Sequence, residues 1–380
     1  MDTKNTVELM KNRCTGCTLC ESICPTKAIT MVLNQQGYYE PSVDTEKCIS
    51  CGKCYNHCPV DKDCGNRTIS SWYGWHKDEA ARSTSTSGGA VRAFADAVLQ
   101  EDGVVFGAVY SDDFRSVVFG DSDHYPMEAI QKSKYTVSNP SGIFSQVKQQ
   151  LETGRQVMFT GTPCQVAGLK TYLSKQYENL IAVDFVCGGT ASLRFWREHL
   201  DALEKKYGAP VSYVDFRSKR QGWGKCVLDL KFKNGKELSC REYLDVYYEC
   251  FVNHYSVREI CLSCPFSHCH NADVTVADFW GYRQAGITEI DKGLSLLIAN
   301  TPKGEEMVAK ATNLEVHELD NKWSAYAVGK SVADSAQKAG RDALFALAEK
   351  TGSIEKAAQK LYPATCTSHT IKWLKLKLKR

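Results

Sequence analysis

The sequence predicts an α/β body, a mixed sheet with flanking helices, behind a small N-terminal α+β module. Three observations carry that expectation. A block of four cysteines recurs between Cys14 and Cys58. After Ser70, buried-strand patterns alternate with amphipathic helical ones, as layered α/β chains do. The 380 residues are 43% hydrophobic and 24% charged, enough for two or three domains with ordinary cores. The expected divisions are residues 1–68, 69–330 and 331–380.

The N-terminal block reads Cys14-x2-Cys17-x2-Cys20-x3-Cys24-Pro25 and repeats as Cys48-x2-Cys51-x2-Cys54-x3-Cys58-Pro59. Three Cys at two-residue intervals wrap one [4Fe–4S] cube, and the fourth Cys of each run reaches the other cube. The spacing thus assigns Cys14, Cys17, Cys20 and Cys58 to one cluster. Cys48, Cys51, Cys54 and Cys24 make the other. Zinc sites use Cys pairs, not triplets followed by Cys-Pro. The module is a two-cluster ferredoxin domain by this pattern, with a hairpin over Ile29–Leu33 and Gly37–Pro41. It is electrically neutral, with eight Lys/Arg and eight Asp/Glu in residues 1–68, which suits a built-in wire.

In the body, a small polar loop, Ser83 to Gly89, precedes a helix with Ala90, Phe94, Val98 and Leu99 inward. Gly103–Tyr110, Gln156–Thr160, Leu180–Val186, Val274–Ala277 and Leu294–Asn300 read as strands. Gly142–Leu151, a segment ending at Leu173, and Ser192 to Lys206 read as helices. Cys226–Phe232 and Lys236–Ser239 form a hairpin through Asn234-Gly235. Glycine loops sit where strands hand over to helices, the place where open α/β sheets bind ligands. The N–H groups of Gly88, Gly89 and Gly161 are candidates to cradle a phosphate there. A flexible loop is the equally weighted alternative. No dinucleotide GxGxxG follows a strand, and no Walker A motif is present. His57, His199 and His254 read as structural, and His76 and His124 as surface residues. Ser335–Leu361 should form two helices broken at Gly352.

Charge excludes an extended nucleic-acid surface. The net +3 is concentrated in residues 351–380, which hold seven basic residues and one acidic, leaving the body slightly negative. Ile371–Arg380 is basic and apolar together. It reads as a solvated terminal helix or as a surface that touches a membrane or a partner. No run of 18 apolar residues spans a membrane, and the polar segment Met1–Met10 does not read as a secretion signal. In a chain of this size, 18 Cys point to metal or redox chemistry in the cytoplasm rather than to disulfide staples.

A second cysteine set follows. Cys261-x2-Cys264-Pro265 supplies two ligands, and Cys164 and Cys187, in Gly-rich loops at strand ends, are the best candidates to complete them. A zinc site closed by His268 or His270 is the alternative, and Cys269 stands in reserve.

These stretches carry a resemblance. Gly161-Thr162-Pro163-Cys164-Gln165, Asp184-Phe185-Val186-Cys187-Gly188-Gly189, Cys261-Leu262-Ser263-Cys264-Pro265-Phe266 and Ala277-Asp278-Phe279-Trp280-Gly281 occur in this order. Together they resemble the coenzyme F420 hydrogenase/dehydrogenase beta-subunit family. The resemblance implies an iron–sulfur flavoprotein oxidoreductase with FAD beside a [4Fe–4S] cluster on Cys164, Cys187, Cys261 and Cys264. That makes three clusters in all. It places FAD contacts at Ser87, Gly88, Gly89, Lys134, Tyr135, Ser138, Gly161 and Thr162. Phe216–Lys219 with Gly222-Trp223 would line the active-site side, making Lys219 and Trp223 candidate catalytic residues. Electrons would pass between an organic hydride donor or acceptor, F420-like or another conjugated substrate, and ferredoxin-type clusters. A ferredoxin or another redox protein is the expected partner, in an oligomer or alone. The competing readings are an electron-transfer subunit without its own turnover and a ferredoxin-dependent reductase of another substrate.

Overall fold

The computed structural model describes residues 10, 12–62, 68–320 and 334–364. Cys64, Cys366 and the basic segment Ile371–Arg380 lie outside them. The N-terminal module holds a short helix α1 (Leu19–Ile23), the hairpin strands β1 (Ile29–Leu33) and β2 (Tyr39–Val43), and a helix α2 (Lys53–Asn56). β1 and β2 pair antiparallel with Ile29 opposite Val43.

Among the described residues, the main sheet of the body has nine strands. In chain order they are β3 (Ser70–His76), β4 (Val104–Tyr110), β5 (Val117–Asp121), β6 (Ser138–Asn139), β7 (Val157–Thr160), β8 (Leu180–Phe185), β12 (Val274–Asp278), β13 (Ser295–Ala299) and β14 (Leu314–Leu319). Their spatial order is β14-β3-β13-β12-β8-β7-β4-β5-β6. The centre, β12-β8-β7-β4, is parallel, while β13, β3, β14 and β5 add antiparallel pairs. The sheet is therefore mixed. β4, β7 and β8 are nearly uniformly apolar because both faces are covered, as parallel strands require.

Two short helices, α3 (Glu79–Thr84) and α5 (Met127–Ile130), lead into the loops at the strand ends. One face of the sheet packs on α4 (Ala90–Leu99), with Ala93, Phe94 and Val98 inward, and on α10 (Pro302–Lys310). The other packs on α6 (Ile143–Glu152) and α7 (Pro163–Leu173). Cys17 and Leu19 of the module join this second core. A smaller antiparallel sheet, β11-β10-β9, combines β9 (Val211–Ser218), β10 (Val227–Phe232) and β11 (Glu237–Arg241). It shares a core with α8 (Leu193–Tyr207), α9 (Val246–Val252), α11 (Ser335–Thr351) and α12 (Ile354–Leu361).

The module is keyed into the body by hydrogen bonds from three body segments. Leu193 N–H donates to Gly37 O (3.0 Å), and Ser192 Oγ donates to Gln36 O (2.5 Å). Arg258 donates to Cys14 O (3.0 Å) and Tyr39 O (2.7 Å), while Arg341 donates to Gln36 Oε1 (2.8 Å). Tyr38 is buried, and its hydroxyl donates to Ser256 O (2.7 Å). Among the described residues, no helix is long and apolar enough to cross a membrane.

Candidate functional site

The cysteines come together in three groups. Cys14, Cys17, Cys20 and Cys58 line one cavity of the module. Cys24, Cys48, Cys51 and Cys54 line a second. Cys54 borders both, so the two cavities share a wall. The backbone N–H of Gly16 points at Cys14 Sγ (3.3 Å), and that of Ala28 at Cys24 Sγ (3.3 Å). Donors of this kind are what anionic cluster sulfur uses.

Cys164, Cys187, Cys261 and Cys264 form the third group. Burial, then the neighbouring thiols of Cys261, Cys164 and Cys264, push the Cys187 thiol up. Burial, then Cys164 and Cys261, push Cys264 up to about 12. Crowded thiols that resist losing protons are what a multivalent cation reverses. Gly189 N–H donates to Cys187 Sγ (3.4 Å), and Thr162 Oγ1 lies 3.1 Å from Cys164 Sγ. Cys269, the reserve candidate, is disulfide-bonded instead. Among the described residues, no three His, Cys, Asp or Glu converge on a single ion.

The third group touches the first. Cys58, Cys164 and Cys264 pack around the same apolar cluster of Met10, Val60, Ala167 and Phe266. Helix α7, which carries Cys164, comes so close at Gly168 that an added Cβ would stand 3.4 Å from Cys17 Sγ. The sulfur sites are therefore contiguous from Cys187 inward to exposed Cys51.

Cys187 also borders the main cavity, about 230 Å³, at the C-terminal edge of the parallel strands. Ser87, Gly89, Lys134, Tyr135, Ser138, Gly161 and Thr162 line it, as do Lys132, Thr136, Arg217 and Asp278. The N-termini of α4 and α7 open onto it. Burial, then the charge of Lys132, brings the Lys134 amine down to about 7. Its donors meet only the carbonyls of Ile130 (3.3 Å) and Lys132 (2.9 Å). Arg217 donates to Asp278 Oδ2 (2.5 Å) and to Tyr135 OH (3.2 Å). Its Nη2 is buried without a partner.

Some expected roles change. The phosphate cradle from Gly88, Gly89 and Gly161 is already occupied. Their N–H groups donate to Ser295 Oγ (3.0 Å), Thr86 O (3.2 Å) and Val183 O (3.2 Å). Gly88 does not line the cavity, because it packs against β3 at Gly74. Thr162 N–H donates to Gln165 Oε1 (2.9 Å), and Gln165 donates on to Ser138 Oγ (2.9 Å). Lys219 and Trp223 stand behind the wall. Lys219 Nζ donates to Ser87 O (2.5 Å), and Trp223 Nε1 donates to Asp278 Oδ1 (3.2 Å). They position the Ser87 loop and Asp278. His76 is not a surface residue: it is 2% exposed and bonded to Asp96 (3.0 Å). Sequence reasoning missed Asp278, Lys132 and Thr136 as cavity residues, while Arg217 belongs to the Phe216–Lys219 stretch expected on the active-site side and does line the cavity. Asp278 lay inside a noted motif, but nothing in a motif says which side chains turn inward.

Comparison with known proteins fits this layout. Residues 154–322 match the family described as coenzyme F420 hydrogenase/dehydrogenase, C terminus of the beta subunit. Residues 13–62 match the 4Fe-4S dicluster domain. A coenzyme F420-dependent sulfite reductase of Methanocaldococcus jannaschii is 23% identical over 317 residues, covering 77% of this chain and 45% of that protein. The chain thus spans less than half the length of that relative. A component of the Na(+)-translocating ferredoxin:NAD(+) oxidoreductase complex of Acetobacterium woodii is 48% identical over 46 residues, 12% of this chain and 13% of that one. A chain of the F420-reducing [NiFe] hydrogenase complex from Methanosarcina barkeri superposes with a TM-score of 0.45 at 15% identity, covering 70% of this chain and 90% of that one. The chain thus carries a 4Fe-4S dicluster domain in front of a segment that matches the C-terminal part of the coenzyme F420 hydrogenase/dehydrogenase beta subunit.

Proposed function

We propose that the chain is an FAD- and iron–sulfur-dependent oxidoreductase. It moves electrons between a conjugated organic hydride donor or acceptor in the main cavity and three [4Fe–4S] clusters. The observation that carries this reading is the unbroken succession of sulfur sites. Cys187 borders the cavity, its group packs against the first module site through Cys58, Cys164 and Cys264, and Cys54 is shared with the second.

The cavity's chemistry suits an anionic dinucleotide. Lys134 lacks a carboxylate partner among its bonds, Arg217 Nη2 is buried and unpaired, and two helix N-termini face inward. The volume, about 230 Å³, is just below the roughly 300–1,000 Å³ of usual ligand pockets, so part of a dinucleotide would extend from the cavity mouth. When bound, FAD supplies the exchange between two-electron hydride and one-electron cluster chemistry. The chain's own residues position and shield it. Asp278 fixes Arg217, Lys219 fixes the Ser87 loop, and the aromatic wall of Tyr135 on Phe251 (4.4 Å) excludes water.

Anaerobic reconstitution tests this directly. The purified chain should bind about twelve irons, three four-iron clusters, and one FAD identifiable after heat release. It should also reduce or oxidise a deazaflavin or another conjugated acceptor without further subunits. Full cofactor loading with no turnover toward any acceptor would leave the alternative, an electron-transfer subunit of a larger complex, which the dicluster relative in a multi-subunit oxidoreductase favours. Protein that takes up iron but no flavin would overturn the reading.

A further inference from the structure

We propose that the rim of the second module cavity is the docking surface for a small acidic one-electron carrier protein. The inference rests on the electron path proposed above and supplies its outer partner.

The two module sites differ in access. The first is walled by the body: Cys17 is buried, Leu19 and Val60 are buried, and α7 closes over it at Gly168. The second faces solvent. Cys51 is exposed, Ile49 is 64% exposed, and Pro25 and Tyr55 are exposed beside them. Side chains as large as Ile49 leave water when another protein covers them. One-electron exchange needs the partner close to the cluster, and this face presents Cys51, the exposed one of the free cysteines among the described residues.

Charge selects the partner. Lys53 is the one charged residue lining this cavity among the described residues. Exposed Lys27 and Lys47 adjoin the lining residues Thr26 and Cys48. Asp44 is tied to Lys47 at 2.8 Å, so it is partly compensated, and Glu46 is the other acid of this turn. With Lys47 paired to Asp44, Lys27 and Lys53 leave the apolar centre with a small positive excess over Glu46, which complements an acidic partner, and such rims set the approach rate and its salt dependence. Each docking transfers one electron: the carrier is oxidised by one electron as the cluster beneath Ile49 is reduced by one. Two dockings supply the two electrons of one hydride in the main cavity, and one proton taken up from water completes it. No bond in the protein forms or breaks.

The test uses the full reconstituted chain and a purified acidic two-cluster bacterial ferredoxin as probe, with a basic cytochrome c as control. Calorimetry should detect ferredoxin binding that weakens steeply between about 50 and 500 mM salt as charges are screened. Lys27→Glu and Ile49→Asp should each weaken it roughly ten-fold at unchanged iron content. Unchanged affinity in both variants would overturn the proposal. So would tighter binding of the cytochrome, or loss of ferredoxin binding on Ser263→Glu, which lies beside the third group instead. Cys187→Ser, which interrupts the path near the main cavity, should leave ferredoxin affinity intact. Docking is thereby judged separately from the electron path it serves.

Discussion

At the residue scale, Cys187 and Lys134 mark the two chemistries that meet in the main cavity. Cys187 sits where β8 ends, and its thiol is crowded by Cys261, Cys164 and Cys264. Cys187→Ser should lower bound iron from about twelve to about eight atoms, with the spectral signature of the module clusters kept. Loss of all iron would show that the three groups do not load independently. Lys134 makes a second prediction. Its amine, lowered to about 7 by burial and then by Lys132, is only part-charged near neutrality. An anionic group bound beside it favours the charged form, so binding should take up protons near pH 7 to 8. FAD affinity should fall as pH rises through that range, and the fall should disappear in Lys134→Met. Calorimetry in buffers of different ionisation enthalpy measures the proton uptake. The grouping of the module cysteines into two sites was legible in the sequence because the Cys spacing is itself geometry. The phosphate cradle was not. Whether a glycine N–H is free depends on partners far along the chain, such as Ser295 for Gly88 and Val183 for Gly161.

At the element scale, the central strands declared themselves and the flanking ones did not. Val104–Tyr110 and Leu180–Phe185 are continuous apolar runs because both faces are covered. Ser70–His76 mixes Ser, Gly and three aromatics, and Leu314–Leu319 carries Glu and His, so neither shows a clean period of two. β3 becomes a strand through pairing with β13 and β14, and edge strand β14 through pairing with β3. The C-terminal helices were legible, including the break at Gly352, but their attachment was not. It runs through buried His199, bonded to Asp245 (2.9 Å) and Glu355 (3.1 Å). Burial alone would lower His199, but the charges of Asp245 and Glu355 prevail and raise it to about 10. The raised value fixes the sign. The stabilisation is fully present below the unfolded value near 6.5 and is lost as pH rises through about 10. Asp245 is depressed: burial opposes ionisation, and the His199 charge overcomes it. Its contribution is lost only in acid, as pH falls through that depressed value. Limited proteolysis should therefore release α12 increasingly from neutral pH toward pH 10. His199→Gln leaves two buried carboxylates uncompensated and should cost roughly 3–5 kcal/mol, read as a lowered melting temperature at pH 7. An unchanged melt would mean that the carboxylates are reached by water.

At the scale of the whole molecule, the question is whether the module is a tethered carrier or a fixed part of the path. Its neutral charge was thin support for a built-in wire, and the packing gives a stronger argument. Arg258 and Arg341 cross from the body to module carbonyl and amide oxygens, and Cys17 belongs to a core cluster of the body. Gly37 is the tightest point. Its φ is +85°, and a Cβ there would fall 2.5 Å from Arg194 N and 2.7 Å from Ser192 Oγ. Gly37→Ala therefore adds a clash with backbone to the cost of a left-handed conformation, and the hairpin must lift from the N-terminus of α8. The two module cavities are formed by other residues, so their clusters should load normally. The first cavity would, however, lose its contact with Cys164 and Cys264. The expected result is full iron content, a module newly open to protease at residues 34–38, and slowed reduction of the module clusters when reducing equivalents enter at the main cavity. Gly235→Ala is the control. Its φ is +83°, nearly the same, but nothing lies within 4 Å of the added methyl, so it tests strain without the clash. If both variants slowed transfer equally, backbone strain would be the cause. If neither did, the module would move freely, and transfer would not depend on the docked contact.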